Sequence, residues 1–339
     1  MPLRLIDANG NRAAEGLRVL EDLARFLFDD ARLSALAKDL RHRVRALIPP
    51  QAITARDVAG DVGTTIKAAD EHTRTAPVAL IRANAARVQE ALRTAEEACK
   101  LAGFTPAAAG LETIRYDSYR LESALLTRLS AWRLWQVRLY ALVDTSLPEQ
   151  PVAVAAAVVR GGAGAVQLRA KNLGPAAYLA LAREVQAAVR AAGGLFIVND
   201  HAAIAAALGA DGIHVGQDDL PPAAVRAVVG PACALGLSAH TEAQARNAVA
   251  AGADYLGLGP MFATTTKPHE PERGPCLLDA VKPWLGLPSY AIGGLNAERL
   301  STLRPRLPHG AAIAGALCKA ADPQLAAQEL LKILQPEEE

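Results

Sequence analysis

Gln167, Arg169 and Lys171 occupy alternate positions of one apolar run, and on a β-strand that spacing sends three long polar side chains to one face. An amide, a guanidinium and an ammonium in a row suit a diphosphate, which the guanidinium can grip through two hydrogen bonds. A solvated strand end could carry the same three residues. Asn199-Asp200 and Gly216-Gln217-Asp218-Asp219 close the next two apolar runs. Carboxylates at neighbouring strand ends can share one hard cation with phosphate oxygens, as Mg²⁺ sites do. Alternatively, Asp200 and Asp219 cap the helices that follow them. Two acids beside a cationic strand favour the metal. Ser238 adds a hydroxyl at the end of a further run. His240 and His214 show no Asp and Ser partners, and both read as structural.

Later in the chain, Gly259-Pro260 leads into Thr264, Thr265, Thr266 and Lys267, three hydroxyls and an ammonium on one long loop. Such a loop can cover an anionic ligand. Gly293-Gly294 and Ala314-Gly315-Ala316 follow two more apolar runs. Glycine there lets backbone N–H groups approach a phosphate, although tight turns alone would also use it.

These residues share a location: each lies just after a short apolar run. The runs are Leu139–Val143, Ala165–Arg169, Leu195–Val198, Gly212–Val215, Ala234–Ser238, Tyr255–Gly259, Ser289–Ile292 and Ala311–Ala314. Ala-rich helical stretches separate them, the last being Pro323–Leu334. Eight strand–helix units predict an α/β fold, a closed (β/α)8 TIM barrel over 137–334 with its site at the C-terminal strand ends. An open dinucleotide-binding sheet would carry Gly-x-Gly-x-x-Gly after its first strand, and this chain has none there. Residues 1–131 follow a different grammar. Leu17, Leu20, Leu23, Ala24 and Leu27 recur at three and four, which predicts an all-α domain. A short helical linker is expected around Ala131–Val137, with Trp132 and Trp135 packing there or in the core.

The 339 residues carry 36 Lys+Arg against 35 Asp+Glu, so no basic field points to nucleic acid. Cys99, Cys233, Cys276 and Cys318 are scattered without a Cys-x-x-Cys pair and read as reduced core thiols. No apolar stretch is long enough for a membrane span, and no signal core follows the first residues. The expectation is a cytoplasmic enzyme with small-molecule substrates, no nucleic-acid or membrane partner, and a homodimer compatible with an internal repeat in the helical domain.

Taken together, QLRAK (167–171), VND (198–200), GIHVGQDD (212–219), LGLSAHT (235–241), YLGLGPMFATTTK (255–267), AIGG (291–294) and the AGA turn (314–316) resemble the thiamine phosphate synthase family, in its order. The resemblance implies coupling of hydroxymethylpyrimidine diphosphate to thiazole phosphate with release of diphosphate. It implies that Gln167, Leu168, Arg169, Ala170, Lys171, Asn199, Ser238 and Lys267 bind the pyrimidine diphosphate. Arg169, Lys171, Ser238 and Lys267 would act in catalysis, and Asp200 and Asp219 would hold Mg²⁺. Thr264, Thr265, Thr266, Gly294, Ala314 and Gly315 would bind the thiazole phosphate. Ala263 stands where the family usually has Pro, and Gly315 where it usually has Ser. A barrel of another chemistry, such as a regulatory relative, is the reading those two departures keep open.

The helical domain repeats itself. Asn9, Arg12, Glu15, Arg18 and Glu21 recur 75 residues on as Asn84, Arg87, Glu90, Arg93 and Glu96. An exposed charge ladder or a duplicated helical bundle would give this pattern, with Asn as a helix cap. Between the copies, Arg56-Asp57 and Gly60-Asp61-Val62-Gly63-Thr64 could bind phosphate with a metal. DANGNRAAEGLRVLEDLARF (7–26), RDVAGDVGT (56–64) and RANAARVQEALRTAEE (82–97) resemble the helical hydroxymethylpyrimidine phosphate kinase found ahead of thiamine phosphate synthases. That resemblance implies ATP as co-substrate. It also implies a pocket lined by Asn9, Arg12, Glu15, Arg18, Asn84, Arg87, Glu90 and Arg93, with Asp61 and Thr64 near the phosphates. A non-catalytic dimerisation or scaffolding module is the alternative.

Overall fold

The computed structural model describes residues 1–55, 76–147, 150–263 and 274–335. The chain divides into two units, Met1–Leu129 and Ser130–Glu339.

In the first unit, α1 (Pro2–Asp22) starts on a proline, whose missing N–H costs nothing in a first turn. Ile6, Ala13, Leu17 and Leu20 form its buried stripe. A π-helical turn (Leu23–Leu27) extends it. Asp30 then caps α2 (Ala31–Leu47), its carboxylate accepting from the Leu33 N–H at 3.0 Å. The short α3 (Pro50–Thr54), α4 (Pro77–Leu101) and α5 (Thr105–Trp135) follow, and α1 packs along α4.

The repeat is a structural duplication, with different work for its residues than capping. Asn9 and Asn84 lie well inside α1 and α4, both buried, and each donates from its side-chain amide to the carbonyl four residues back (Leu5 and Leu80, 2.9 Å in both). A helix that begins at Pro2 or Pro77 leaves no cap for either to fill. Nor is the charge pattern an exposed ladder throughout. Glu21 is buried against Arg41 at 2.9 Å, and Glu96 is buried against Arg93, Lys100 and Arg115 at 2.8, 2.6 and 3.3 Å. Burial pushes the Glu96 carboxyl up, but those three cations outweigh it and hold the group below its ordinary range.

The second unit is a closed barrel of parallel strands in chain order: β1 (Leu139–Asp144), β2 (Ala165–Arg169), β3 (Leu195–Asn199), β4 (Gly212–Val215), β5 (Ala234–Ala239), β6 (Tyr255–Leu258), β7 (Ser289–Ile292) and β8 (Gly310–Ile313). β8 returns to pair with β1 through Leu139 and Ala311. No strand boundary departs from its sequence expectation by more than one residue, and the last helix, Pro323–Leu334, coincides with it. Outward-facing Ala141, Val143, Val166, Leu168 and Val198 pack in one continuous core with the surrounding helices. Inward-facing Tyr140, Ala165, Ile197, Ala234, Tyr255, Tyr290 and Ala312 form a separate inner layer with Leu134 and Val137.

Two expectations change. There is no separate linker helix, because α5 continues to Trp135 and the division falls within it. The Trp135 ring meets His309 edge-on at 4.8 Å, inside the second unit. His309 is buried, its Nε2 2.8 Å from the Val137 carbonyl; burial first, then the charge of Arg138, pushes its pKa down to about 4. Cys276 is exposed at the start of a helix (Cys276–Val281), so three of the cysteines are buried thiols and this one is not. Among the described residues no helix is long and apolar enough to cross a membrane.

Candidate active site

A cavity of about 420 Å³ opens at the C-terminal ends of the strands, a size that suits a small organic substrate. Gln167, Arg169 and Lys171 line it together, as the period of two on β2 requires. Leu168 and Ala170 do not: both face the outer core, and the Leu168 carbonyl is taken by the Tyr178 hydroxyl at 2.7 Å. Alternation turns these two side chains away from the cavity and leaves only their backbone to meet a substrate.

Asn199, Asp200 and Asp219 enter from β3 and the turn after β4, and Ser238 from β5. Neither acid caps a helix. The helix after β3 (Ala202–Leu208) has His201 at its cap, and the one after β4 (Pro222–Val229) has Pro221. Asp219 instead accepts from the Gly216 N–H at 2.7 Å. Asp200 sits at φ +64, a left-handed backbone that aspartate tolerates better than most residues. Burial raises its pKa, and so do the like charge of Asp219 and a hydrogen bond shared with it; Lys171, 3.3 Å away, opposes them. Two carboxylates forced into each other's company by the fold fit a hard divalent cation. Among the described residues no third acid, histidine or cysteine joins them. The two carboxylates alone could supply part of the oxygen ligands that a hard divalent cation takes.

Arg169 is anchored from behind. Its Nη1 donates to Asp144 at the end of β1, and the hydroxyl and backbone N–H of Ser146 donate to the same carboxylate at 2.7 and 3.0 Å. Burial would raise the Asp144 pKa, but the Ser146 hydrogen bonds and Arg169 together hold it below the ordinary carboxylate range. Sequence reasoning missed Asp144, although its place at the end of the first strand was the available signal. It also missed Lys319, an exposed cation that lines the cavity beside Ala316. The Ser238 hydroxyl lies 3.0 Å from Nε2 of His214, so His214 supports a site residue from within β4. His240 lines the cavity, but its Nδ1 is engaged by the Gly259 carbonyl at 2.5 Å.

Gly294, Ala314 and Gly315 line the same cavity. Gly294 sits at φ +63, and a Cβ there would come within 2.5 Å of the Ala263 carbonyl, so glycine is needed. Gly315 is different: a Cβ would meet nothing within 4 Å. Thr264, Thr265, Thr266 and Lys267 lie outside the described residues, as do Asp61 and Thr64. In the helical unit, Arg12, Glu15, Arg18, Arg87, Glu90 and Arg93 are exposed. Arg18 is paired with Asp22 at 3.1 Å, and Arg12 approaches Asn9 at 3.4 Å.

Comparison with known proteins gives this geometry a family. The model described as thiamine monophosphate synthase matches residues 139–317, and the ThiD2 family model matches 4–124. A thiamine-phosphate synthase of Gloeobacter violaceus is 39% identical over 326 residues, covering 95% of this chain and 93% of that protein. One of Thermosynechococcus vestitus is 38% identical over 332 residues, covering 98% and 94%. Among solved structures, thiamine phosphate pyrophosphorylase from Pyrococcus furiosus superposes with a TM-score of 0.54 at 30% identity, over 60% of this chain and 96% of that one. With relatives of this identity matched along nearly its whole length, the chain, a transferase, belongs to the thiamine-phosphate synthase family.

Proposed function

We propose that the barrel unit couples hydroxymethylpyrimidine diphosphate to thiazole phosphate, forming thiamine phosphate and releasing diphosphate. The observation that carries this reading is the convergence of Arg169, Lys171, Asp200, Asp219 and Ser238 on one cavity that Gly294 and Gly315 also line. The bond from the pyrimidine methylene to the diphosphate oxygen breaks, leaving a resonance-stabilised cation. The thiazole nitrogen then gives its electron pair to that carbon. Arg169 and Lys171 stabilise the charge that collects on the departing diphosphate. Asp144 keeps Arg169 aimed, and Ser238, held by His214, borders the pyrimidine. Asp200 and Asp219 would hold Mg²⁺, which when bound supplies Lewis-acid stabilisation of phosphate oxygens. Lys267 and Thr264–Thr266, outside the described residues, are the remaining contacts that the family resemblance implies. A largely apolar floor, including Leu142 and Ile292, limits the water that could capture the cation.

The helical unit, in this reading, phosphorylates hydroxymethylpyrimidine phosphate with ATP and so supplies the diphosphate. Its support is the ThiD2 family match over 4–124 together with the duplicated Asn-Arg-Glu-Arg pattern. A dimerisation or scaffolding role draws on one observation against it: Asn9, Asn84, Glu21 and Glu96 are spent on internal hydrogen bonds and ion pairs. Supplying the whole chain with hydroxymethylpyrimidine phosphate, ATP, Mg²⁺ and thiazole phosphate separates the two. Thiamine phosphate should form; product that appears only with ready-made diphosphate would remove the kinase reading and leave the barrel reading intact.

A further inference from the structure

We propose that Lys319 is a specificity-determining residue for the second substrate. Its ammonium is the counter-charge for the phosphate of the thiazole and makes the site prefer the phosphorylated thiazole over the free thiazole alcohol. The inference rests on the coupling reading above and adds to it a residue that lies beyond the strand ends.

Charge is divided unevenly around the cavity. On the arc from β1 to β4, Arg169 is paired with Asp144, and Lys171 lies 3.3 Å from Asp200, with Asp219 on the same arc. Two cations there meet three carboxylates, so that arc favours an anion that arrives with a divalent cation. The arc from β7 to β8 is built differently. Gly294, Ala312, Ala314, Gly315 and Ala316 line it, and none of them has a polar side chain. The Asn296 side chain is spent on capping the helix Ala297–Leu303, where it accepts from the Arg299 N–H at 2.9 Å. Among the described residues Lys319 is the one charged side chain lining this arc; it is exposed, and no described carboxylate pairs with it. An anion seated on this side therefore meets an uncompensated cation and needs no metal to be held.

The local fold aims the side chain. The helix Gly315–Cys318 follows β8, and the Lys319 N–H closes its last turn on the Gly315 carbonyl at 3.1 Å. Residues four apart on such a turn share a face, and a long side chain runs back over the preceding turn. That direction carries the Lys319 stem over Gly315, where a Cβ would meet nothing within 4 Å. A flexible four-carbon stem above open space lets the ammonium reach a phosphate lying between Gly294 and Gly315. A hydrogen bond between two charged groups is about twice as strong as a neutral one. The contact therefore favours the phosphate and gives the alcohol little.

The test measures kcat/KM for thiazole phosphate and for the thiazole alcohol in the whole chain, in Lys319→Gln and in Lys319→Arg, each coupled to hydroxymethylpyrimidine diphosphate. Lys319→Gln should lower the preference for the phosphate about 10-fold. The loss should appear as a higher KM for thiazole phosphate, with the KM for the diphosphate unmoved and the alcohol no worse. Lys319→Arg, which keeps the charge, should restore most of the preference. Calorimetric binding of thiazole phosphate without Mg²⁺ gives a second readout, and Lys319→Gln should weaken it about 10-fold as well. An unchanged preference, an equal loss for both thiazoles, or a rise confined to the KM of the diphosphate overturns the assignment and leaves the coupling reading standing. A parent chain that binds thiazole phosphate through Lys319 but forms no product removes the coupling reading and leaves the Lys319 contact standing.

Discussion

The barrel and the helical unit both carry polar residues in a regular pattern, and the pattern means different things in each. On β2 the alternation of Gln167, Arg169 and Lys171 delivers all three to one cavity, because a closed parallel barrel has one open rim where strand ends meet. On α1 and α4 the three-residue rhythm splits by burial. Asn9 and Glu21, with their counterparts Asn84 and Glu96, go inward and find internal partners, while Arg12, Glu15 and Arg18 and their counterparts stay exposed. A strand period combined with a closed sheet places chemistry. A helical period places a residue on a face, and tertiary packing decides whether that face is site, core or solvent.

The sharpest way to break that contrast is to truncate one residue on each side. Arg169→Ala should lower kcat/KM for coupling by about three decades or more, because it removes charge from the departing diphosphate and leaves Asp144 without its cation. Arg169→Lys should recover little, since an ammonium cannot reproduce the guanidinium fork. In the helical unit the large effect should be on stability. Glu96→Ala removes the buried carboxylate on which Arg93, Lys100 and Arg115 converge and should cost about 1–3 kcal/mol in denaturant unfolding of that unit. Arg12→Ala, on an exposed position, should cost under about 0.5 kcal/mol. An Arg12 change that unfolds the unit would erase the distinction between inward and outward repeat residues.

Acid should act more gently, and from the bottom of the barrel. His309 is neutral in the folded chain with its pKa pushed from 6.5 down to about 4 by burial and Arg138. The unfolded chain takes up that proton near pH 6.5 and the folded chain does not. Stability from this group is therefore full above about pH 6.5 and drains as pH falls toward 4, by up to about 3 kcal/mol. Chemical unfolding followed from pH 7 to 4 should show that loss, and His309→Gln should flatten it. The smallest effect belongs to Gly315→Ser. Open space around position 315 admits the side chain, and one added hydroxyl should lower KM for thiazole phosphate a few-fold, about 1 kcal/mol at most. A rise in KM would mean that position 315 does not face that substrate.

Much of the barrel was legible because its signals are local. Short apolar runs ended by Gly or Asp mark strands and loops, and no strand end was misplaced by more than one residue. The strand-end rule then found Arg169, Asp200, Asp219 and Ser238. It passed over Asp144, which obeys the same rule but stands on a strand with no other charged residue. The contacts of the Tyr140 hydroxyl with the Tyr255 hydroxyl and the Gln167 amide were not readable, since strand alternation gives a face and only the closed barrel brings those faces together. Asn9 looked like a cap because the start of α1 at Pro2 carries no Ser, Thr or Asp signal of its own. Leu168 and Ala170 share the motif with Arg169 but turn their side chains outward, as the alternation of the strand dictates.

Whether this one cavity joins the two substrates is tested most directly by product formation in the whole chain from hydroxymethylpyrimidine diphosphate, thiazole phosphate and Mg²⁺. Thiamine phosphate and diphosphate should appear in equal amounts, with both lost together in Arg169→Ala and on removal of the divalent cation. No product from the parent chain, or undiminished product from a folded Arg169→Ala, would contradict the coupling reading.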